Sequence, residues 1–386
     1  MVRGEAVDLG DVPVVDNHCH GILRSQRFDD AASWRGAFTE SADLGMARDH
    51  VATTAFHRRL IRSLSAFFDC EPDEETVLAA RAERDTAELT GELLRSANVE
   101  TLLVDTGYPP PEEVLPISEL GKLADCRTEP MLRLEILMER LLAKHASLDL
   151  VKEALTAELD DVRGRGYVAL KSVVAYRTGL AVREWTDEEA EASLREFRRD
   201  SAESLVRLAH KPLLDTLLHV AFAQAARQEV PVQFHTGYGD ADTDLLLGNP
   251  LHLRAVLEKP EYRGVPVVLL HECYPYTREG GYLAAVYENV YLDLSYGIPL
   301  LGFGAMLSFT GAALGVAPIS KLLYSSDGIG VPELHWMSAM DGRHVLGLAL
   351  EELVAHDELS ISGAEAAGES ILRGNAIRLY QLAPDT

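Results

Sequence analysis

Short apolar runs rich in valine, leucine and isoleucine recur along this chain, separated by longer stretches in which alanine, leucine, glutamate and arginine follow helical spacing. Brief apolar runs suit strands covered on both faces, and the amphipathic stretches suit helices packed against them. Eight strands are predicted, at residues 13–20 (PVVDNHCH), 99–108 (VETLLVDTGY), 131–137 (MLRLEIL), 167–173 (YVALKSV), 230–237 (VPVQFHTG), 265–273 (VPVVLLHEC), 289–295 (NVYLDLS) and 321–328 (KLLYSSDG). Helical stretches stand before the fourth (SLDLVKEALTAELDDV), the fifth (DTLLHVAFAQAARQ) and the sixth (LHLRAVLEKPEYRG). Parallel strands alternating with helices predict an α/β fold of the (β/α)8 TIM-barrel type, with residues 1–386 as a single domain.

The segment 22–98 is too long for a simple connection and holds helix-forming runs such as TTAFHRRLIRSLSAFF. It is expected to be a helical insertion after the first strand, lying over the barrel mouth as a lid or substrate wall. A peripheral dimerisation arm is the alternative. Neither an internal repeat nor a low-complexity linker stands out.

Of 386 residues, 47% are hydrophobic and 25% charged, enough for a large core. A formal net charge of -25 argues against binding nucleic acid or an anionic membrane, since both require a basic surface. The first residues lack the apolar centre of a secretory signal, and no apolar run approaches the ~20 residues of a membrane span. A cytoplasmic protein is expected. Cys19, Cys70, Cys126 and Cys273 are too scattered for a CxxC zinc motif or a disulfide framework. Cys19 and Cys273 alternate out of phase with neighbouring histidines and are expected to be small buried residues, not ligands.

His18 and His20 share one face of the first predicted strand, which fits a metal or, taken alone, a solvated loop. Further along, Lys171 lies near the end of the fourth predicted strand, His235 ends the fifth, His271 the sixth and Asp327 the eighth. Apolar strands do not carry such groups without partners, because an unpaired buried charge or imidazole costs several kcal/mol. Together these residues point to a metal at one rim of the barrel.

This pattern of HxH, Lys, His, His and Asp resembles the amidohydrolase superfamily. Within it, KSVVAYRTGL, QFHTGYGD, HECYPYTREGGYLAAVYENVYLDLS and LLYSSDG resemble the FluG-like branch, over essentially the whole chain. The resemblance implies that His18 and His20 bind a divalent metal with Asp327, while His235 and His271 complete this site or hold a second ion. It leaves two roles for Lys171: carboxylated, bridging two metals, or an ammonium that binds a substrate carboxylate. Members of the branch also occur fused to a glutamine-synthetase-like domain. None is expected here, since the chain closes at APDT after the last helix.

A metal of the zinc type lowers the pKa of a bound water from about 15.7 towards 7 and polarises a carbonyl. Mixed nitrogen and oxygen ligands suit zinc, and manganese or iron also fit them. Asp327 and His271 are the catalytic candidates, with Asp327 both ligand and general acid/base, although SSDG is also a helix-capping sequence. Gly237 would let backbone approach a substrate closely, and Glu272 is expected to point away from the site. Substrate contacts are expected from Tyr176 and Arg177 beyond Lys171, from Tyr274, Tyr276 and Arg278 beyond His271, and from Arg59 within HRRLIR. Arginine suits a carboxylate through bidentate pairing; surface ion pairs are the alternative for each arginine. Asp105 and Glu135 would orient ligands or pair with Arg133, and Trp336 would pack.

These expectations add up to a metal-dependent hydrolase of a C–N amide-type bond in a small carboxylate-bearing substrate, a γ-glutamyl or N-acyl amide being the sharpest form. The rivals are a metal-dependent decarboxylase or isomerase of a small acid and, in another class, a non-catalytic regulatory barrel. A homodimer is the default assembly.

Overall fold

The structure, a computed structural model, describes residues 6–203 and 207–382. Every residue of β1, Val14–His20, is buried, as expected of a strand covered on both faces. It is followed in the sheet by β2 (Val99–Asp105), β3 (Arg127–Arg133), β4 (Ala169–Ser172), β5 (Val232–Phe234), β6 (Val267–Leu269), β7 (Val290–Ser295) and β8 (Leu322–Ser325). All neighbours pair in parallel and in sequence order. The ring is drawn together between β1 and the segment after β8. Asp327 N donates to His18 O (3.0 Å), His20 N to Gly328 O (2.8 Å) and Gly330 N to Gly21 O (3.0 Å). The fold is a TIM-type (β/α)8 barrel.

Inside the ring the side chains form layers. Val15, Leu103, Met131, Ala169, Val268 and Leu323 belong to an apolar cluster that includes Tyr380 of the C-terminal helix Asn375–Tyr380. Asn17, Gln233 and Asp293 form a polar layer: Tyr380 Oη donates to Asn17 Oδ1 (2.9 Å), Gln233 Nε2 to Asn17 O (2.7 Å) and Asn17 Nδ2 to Asp293 Oδ2 (2.7 Å). The amide N–H groups of Asn17 and Gln233 thus find partners within the layer, which reduces the penalty of placing them in a core, while Gln233 Oε1 has no partner among the described residues. A larger cluster fills the space between the barrel and its helices.

Two elements differ from the sequence expectation. The third strand is not 131–137: it ends at Arg133, and Leu134–Lys144 is a helix. Arg127, Glu129 and Arg133 leave β3 largely half-buried, so its apolar signal is weak, and the run LEIL belongs to the helical period of LEILMERLLAK. The helix expected at LHLRAVLEKPEYRG breaks into the 3-10 turn Pro250–Leu253, one helical turn Arg254–Leu257 and the 3-10 turn Pro260–Tyr262. Pro260 cannot donate to a continuing helix.

Between β1 and β2 lie the helices Ala55–Phe68, Glu74–Ala82 and Thr86–Ser96, whose first turns are capped by Thr54, Asp73 and Asp85. No helix among the described residues is long and apolar enough to cross a membrane.

Candidate metal centre

The pairing of β1 with β2 is irregular between Asp16 and Cys19, an interval that holds His18, and the His18 and His20 rings lie 5.1 Å apart. Asp327 follows β8 in the left-handed region (φ 50°), which swings its carboxylate back across the seam. There it lies 3.4 Å from His18 Nε2, 3.6 Å from His20 Nε2 and 3.1 Å from His271 Nδ1. One ligand atom from each of His18, His20 and Asp327 lies within 4.8 Å of the others.

His271 lies past the end of β6 in a tight turn. It and the next two residues, Glu272 and Cys273, all take positive φ (62°, 51° and 54°), a run that side-chain-bearing residues avoid unless the surroundings over-determine it. Several contacts do so. His271 N donates to Asp293 Oδ1 (3.1 Å), Thr236 Oγ1 to Leu270 O (2.6 Å) and Tyr274 N to His271 O (2.8 Å). A Cβ on Gly237 (φ 65°) would stand 2.1 Å from Tyr274 O, so only glycine lets the His235 loop lie against this turn. The His235 and His271 rings are consequently 4.4 Å apart.

Lys171, on β4, is fully buried, with Nζ 3.2 Å from His18 Nε2. Burial lowers its pKa to about 8, opposed by Asp105 and assisted by Arg133. Asp105 pairs with Arg133; burial would raise its carboxyl, but Arg133, His20 and Lys171 outweigh burial and hold it well below the usual range. Burial, followed by Lys171, pushes the His18 pKa well down, and burial followed by His271 does the same for His235. Neutral imidazoles are the form a metal binds. At Asp327, burial is opposed and outweighed by His271, His18 and His20, so the carboxylate stays ionised.

The donor set fits a divalent ion. His20 Nδ1 donates to Tyr108 O (2.9 Å), which leaves the Nε2 lone pair facing Asp327. His18 Nδ1 and the Nε2 atoms of His235 and His271 have no hydrogen-bond partner among the described residues although buried. Unpaired buried nitrogens beside an ionised carboxylate suit zinc-type coordination. Another trio, Asp16, Cys19 and His335, also lies within ligand range. Asp16 already accepts from Ser326 N (2.8 Å) and Ser326 Oγ (2.5 Å), so it braces the segment that leads into Asp327.

The rim thus brings together His18, His20, Lys171, His235, His271 and Asp327, and the Tyr176 ring lies 4.3 Å from that of His235, tilted by 46°. Most of the other residues expected to bind substrate have contacts of their own. Arg177 Nη2 lies 3.8 Å from Glu139, Tyr274 packs on Phe309, Arg278 is exposed, and Arg59 pairs with Asp341 of the helix Pro332–Ala355 at 2.8 Å. Glu272 is buried without a partner, Glu135 accepts from Ser172 Oγ (2.7 Å), and Trp336 packs on Phe67.

Two residues at the rim carried no sequence signal strong enough to single them out. Tyr238 Oη donates to Glu40 Oε1 (2.5 Å), which ties the segment after β1 to the loop after β5. Burial raises the Glu40 pKa, partly offset by Tyr238, and Asp327 and His20 both act on it electrostatically. Tyr238 lies in the GYGD stretch and could have been weighed as a rim aromatic, whereas Glu40 has no motif around it. Two depressions of about 470 and 440 Å³, one beside Glu100 and Lys122, the other beside Thr106 and Arg140, are lined by none of the six rim residues.

A family model described as Amidohydrolase matches residues 134–382. The chain is 31% identical to protein fluG of Emericella nidulans over 96% of its own length, and spans 46% of that relative, about half. A crystal structure of a protein assigned as a metal-dependent hydrolase from Lactobacillus casei ATCC 334 superposes with a TM-score of 0.87 at 28% identity, covering 98% of both chains. Uronate isomerase from Thermotoga maritima superposes with a TM-score of 0.67 at 15% identity, covering 96% of this chain and 95% of that one, a likeness of fold.

Proposed function

Since the chain belongs to the amidohydrolase family, we propose that it hydrolyses a C–N amide-type bond of a small carboxylate-bearing substrate, using water activated at the His18, His20 and Asp327 centre. The observation that carries this reading is the approach of three histidines to one ionised carboxylate, with buried ring nitrogens left unpaired. A divalent ion held there would supply Lewis-acid chemistry, lowering the pKa of a water towards neutrality. His18, His20 and Asp327 would hold it, and His235 and His271 would complete that site or serve a second ion.

The protein's own groups do the rest. Asp327, ionised and facing the centre, accepts the proton of the attacking water and returns it to the departing amine. Asp293, through the backbone N–H of His271, fixes where that ring stands. Lys171, drawn down to about 8, is readily neutral and can either be carboxylated or hold a substrate carboxylate as an ammonium. Tyr176 walls the side of His235. In the branch that the sequence motifs resemble, a glutamine-synthetase-like domain can accompany the barrel, which supports a γ-glutamyl or N-acyl amide.

Product analysis tests this on protein loaded with zinc or manganese. Amine released from γ-glutamyl and N-acyl amides, and lost in Asp327→Ala, is the expected result. Carbon dioxide from small acids, or aldose–ketose interconversion of a uronate, would replace hydrolysis with another reaction of the same rim. A folded Asp327→Ala that stays fully active would remove the catalytic reading.

A further inference from the structure

Glu40 stands on a segment that the core holds in place. Trp34, on the helix Ala31–Arg35, and Phe38, on the 3-10 turn Gly36–Phe38, are both buried, with their rings 4.8 Å apart. Thr39 leaves the turn in extended conformation, and its Oγ1 accepts from Ser41 N (3.2 Å). From between these two residues Glu40 reaches the hydroxyl of Tyr238, 198 positions away. Tyr238 is itself buried and fixed: its backbone N–H donates to Tyr274 O (2.6 Å), and its ring lies 5.8 Å from that of His271. Two anchored segments thus set a carboxylate beside the rim.

Nothing else in the described chain uses that carboxylate. One oxygen accepts from Tyr238; the other makes no hydrogen bond, and no lysine or arginine pairs with Glu40 among the described residues. Glu40 also belongs to neither group of side chains in ligand range of one another, so an ion held by His18, His20 and Asp327 would not consume it. Asp327 and the exposed Asp240 oppose its charge, while Tyr238 and His20 favour it. A half-buried carboxylate with two others of the same sign near it is costly until a cation meets it. A divalent ion would offset Asp327; Glu40 has no such counterpart within the chain.

We infer that Glu40 receives an ammonium group of the substrate, with Tyr238 holding the carboxylate in position for it. This rests on the reading of the rim as an amide-hydrolysing site, and it divides the two forms of substrate named there. A γ-glutamyl amide keeps its α-ammonium, which would join Glu40 through a charge-assisted hydrogen bond. An N-acyl amino acid has its amine tied up in the amide and brings a carboxylate without a cation, so Glu40 would repel it. Glu40 thereby selects the γ-glutamyl form. An ammonium on the departing amine would satisfy the same carboxylate, and the test separates the two sources.

Isothermal titration calorimetry on the zinc-loaded full chain tests it, with L-glutamate, glutarate and 1,4-diaminobutane titrated into wild type, Glu40→Gln and Tyr238→Phe. Glutarate is glutamate without the ammonium, and glutamine at position 40 keeps an acceptor for Tyr238 Oη while removing the charge. L-glutamate is expected to bind wild type at least about tenfold more tightly than glutarate, a preference that disappears in Glu40→Gln. Binding of 1,4-diaminobutane that is lost in Glu40→Gln, without a preference for glutamate, would support the ammonium site and assign it to the departing amine. If Glu40→Gln fails to fold by circular dichroism, Tyr238→Phe carries the test: the loosened carboxylate should weaken L-glutamate about fivefold and glutarate not at all. Equal affinity of wild type for L-glutamate and glutarate with no binding of the diamine would overturn the inference. So would a glutamate preference that persists in Glu40→Gln, which would assign the amine to the metal. Binding requires no turnover, so the two readings fail separately. Glu40-dependent binding alongside carbon dioxide release or uronate isomerisation would overturn the hydrolase and keep the ammonium site; equal kcat/KM for γ-glutamyl and glutaryl amides would do the reverse.

Discussion

Asp327 is held to His18 at both ends: its backbone N–H donates to the His18 carbonyl at 3.0 Å, and its carboxylate lies 3.4 Å from the His18 ring. The hydrogen bond that helps close the barrel therefore also sets the spacing of two proposed ligands. Replacing Asp327 by asparagine keeps the backbone bond and the shape but removes the charge and the proton acceptor. Bound metal measured by elemental analysis should fall, and kcat/KM should drop by about 10³-fold, while the circular dichroism spectrum is retained.

Lys171 should give the metal-free protein a distinctive pH response. Its folded pKa is about 8, below its ordinary 10.5. Between those values the unfolded chain binds more protons than the folded one, so this residue's contribution makes stability rise as pH climbs through that window. Below about pH 8 the folded state carries the full penalty of a buried ammonium, on the order of 3 kcal/mol. Urea unfolding of metal-free wild type and Lys171→Met across this range should show the rise in the first and its loss in the second. Parallel slopes would mean that Lys171 is not buried as an ammonium. In protein purified without chelator, two metal equivalents falling to one or none in Lys171→Ala would indicate a lysine-bridged pair.

Tyr238→Phe removes the donor to Glu40 and nothing else of size. If the segment after β1 walls the substrate site, KM should rise roughly fivefold, the equivalent of about 1 kcal/mol, with kcat little changed. A matching fall in kcat without a KM effect would place Glu40 in the chemistry instead. Steady-state kinetics on the released amine separates the two.

Gly237→Ala is expected to be among the more damaging small substitutions. The added methyl meets the Tyr274 carbonyl at 2.1 Å and must occupy φ 65°. A loss of about 3 kcal/mol in chemical denaturation is expected, together with lower activity, because His235 and His271 sit on the two loops forced apart. A neutral result would show that the two loops move independently.

The rim histidines, Lys171 and Asp327 were legible because apolar strands make a polar terminus conspicuous. Lys171 stands out against YVAL, and His271 against VPVVLL. The same rule failed at β3, whose charged residues are half-buried while the apolar run belongs to the following helix. Glu40 was out of reach for a different reason. Its position rests on a contact with Tyr238, 198 positions away, and a lone glutamate has no period or spacing to betray it. For Arg59 sequence leaves a substrate contact and an ion pair equally open, because so long a side chain can reach either; in the structure it pairs with Asp341.

The seam between β1 and the turn after β8 joins residues separated by almost the whole chain; Asp16 and Ser326, which brace it, are 310 positions apart. On the ribosome, His18 and His20 emerge early and must wait for Asp327 to be synthesised before their site exists. A stalled or truncated product that lacks the last strand holds two histidines and no carboxylate opposite them. Capture of the proposed ion would therefore report that β8 is in place and the ring shut, and would belong to a late step of the barrel's folding.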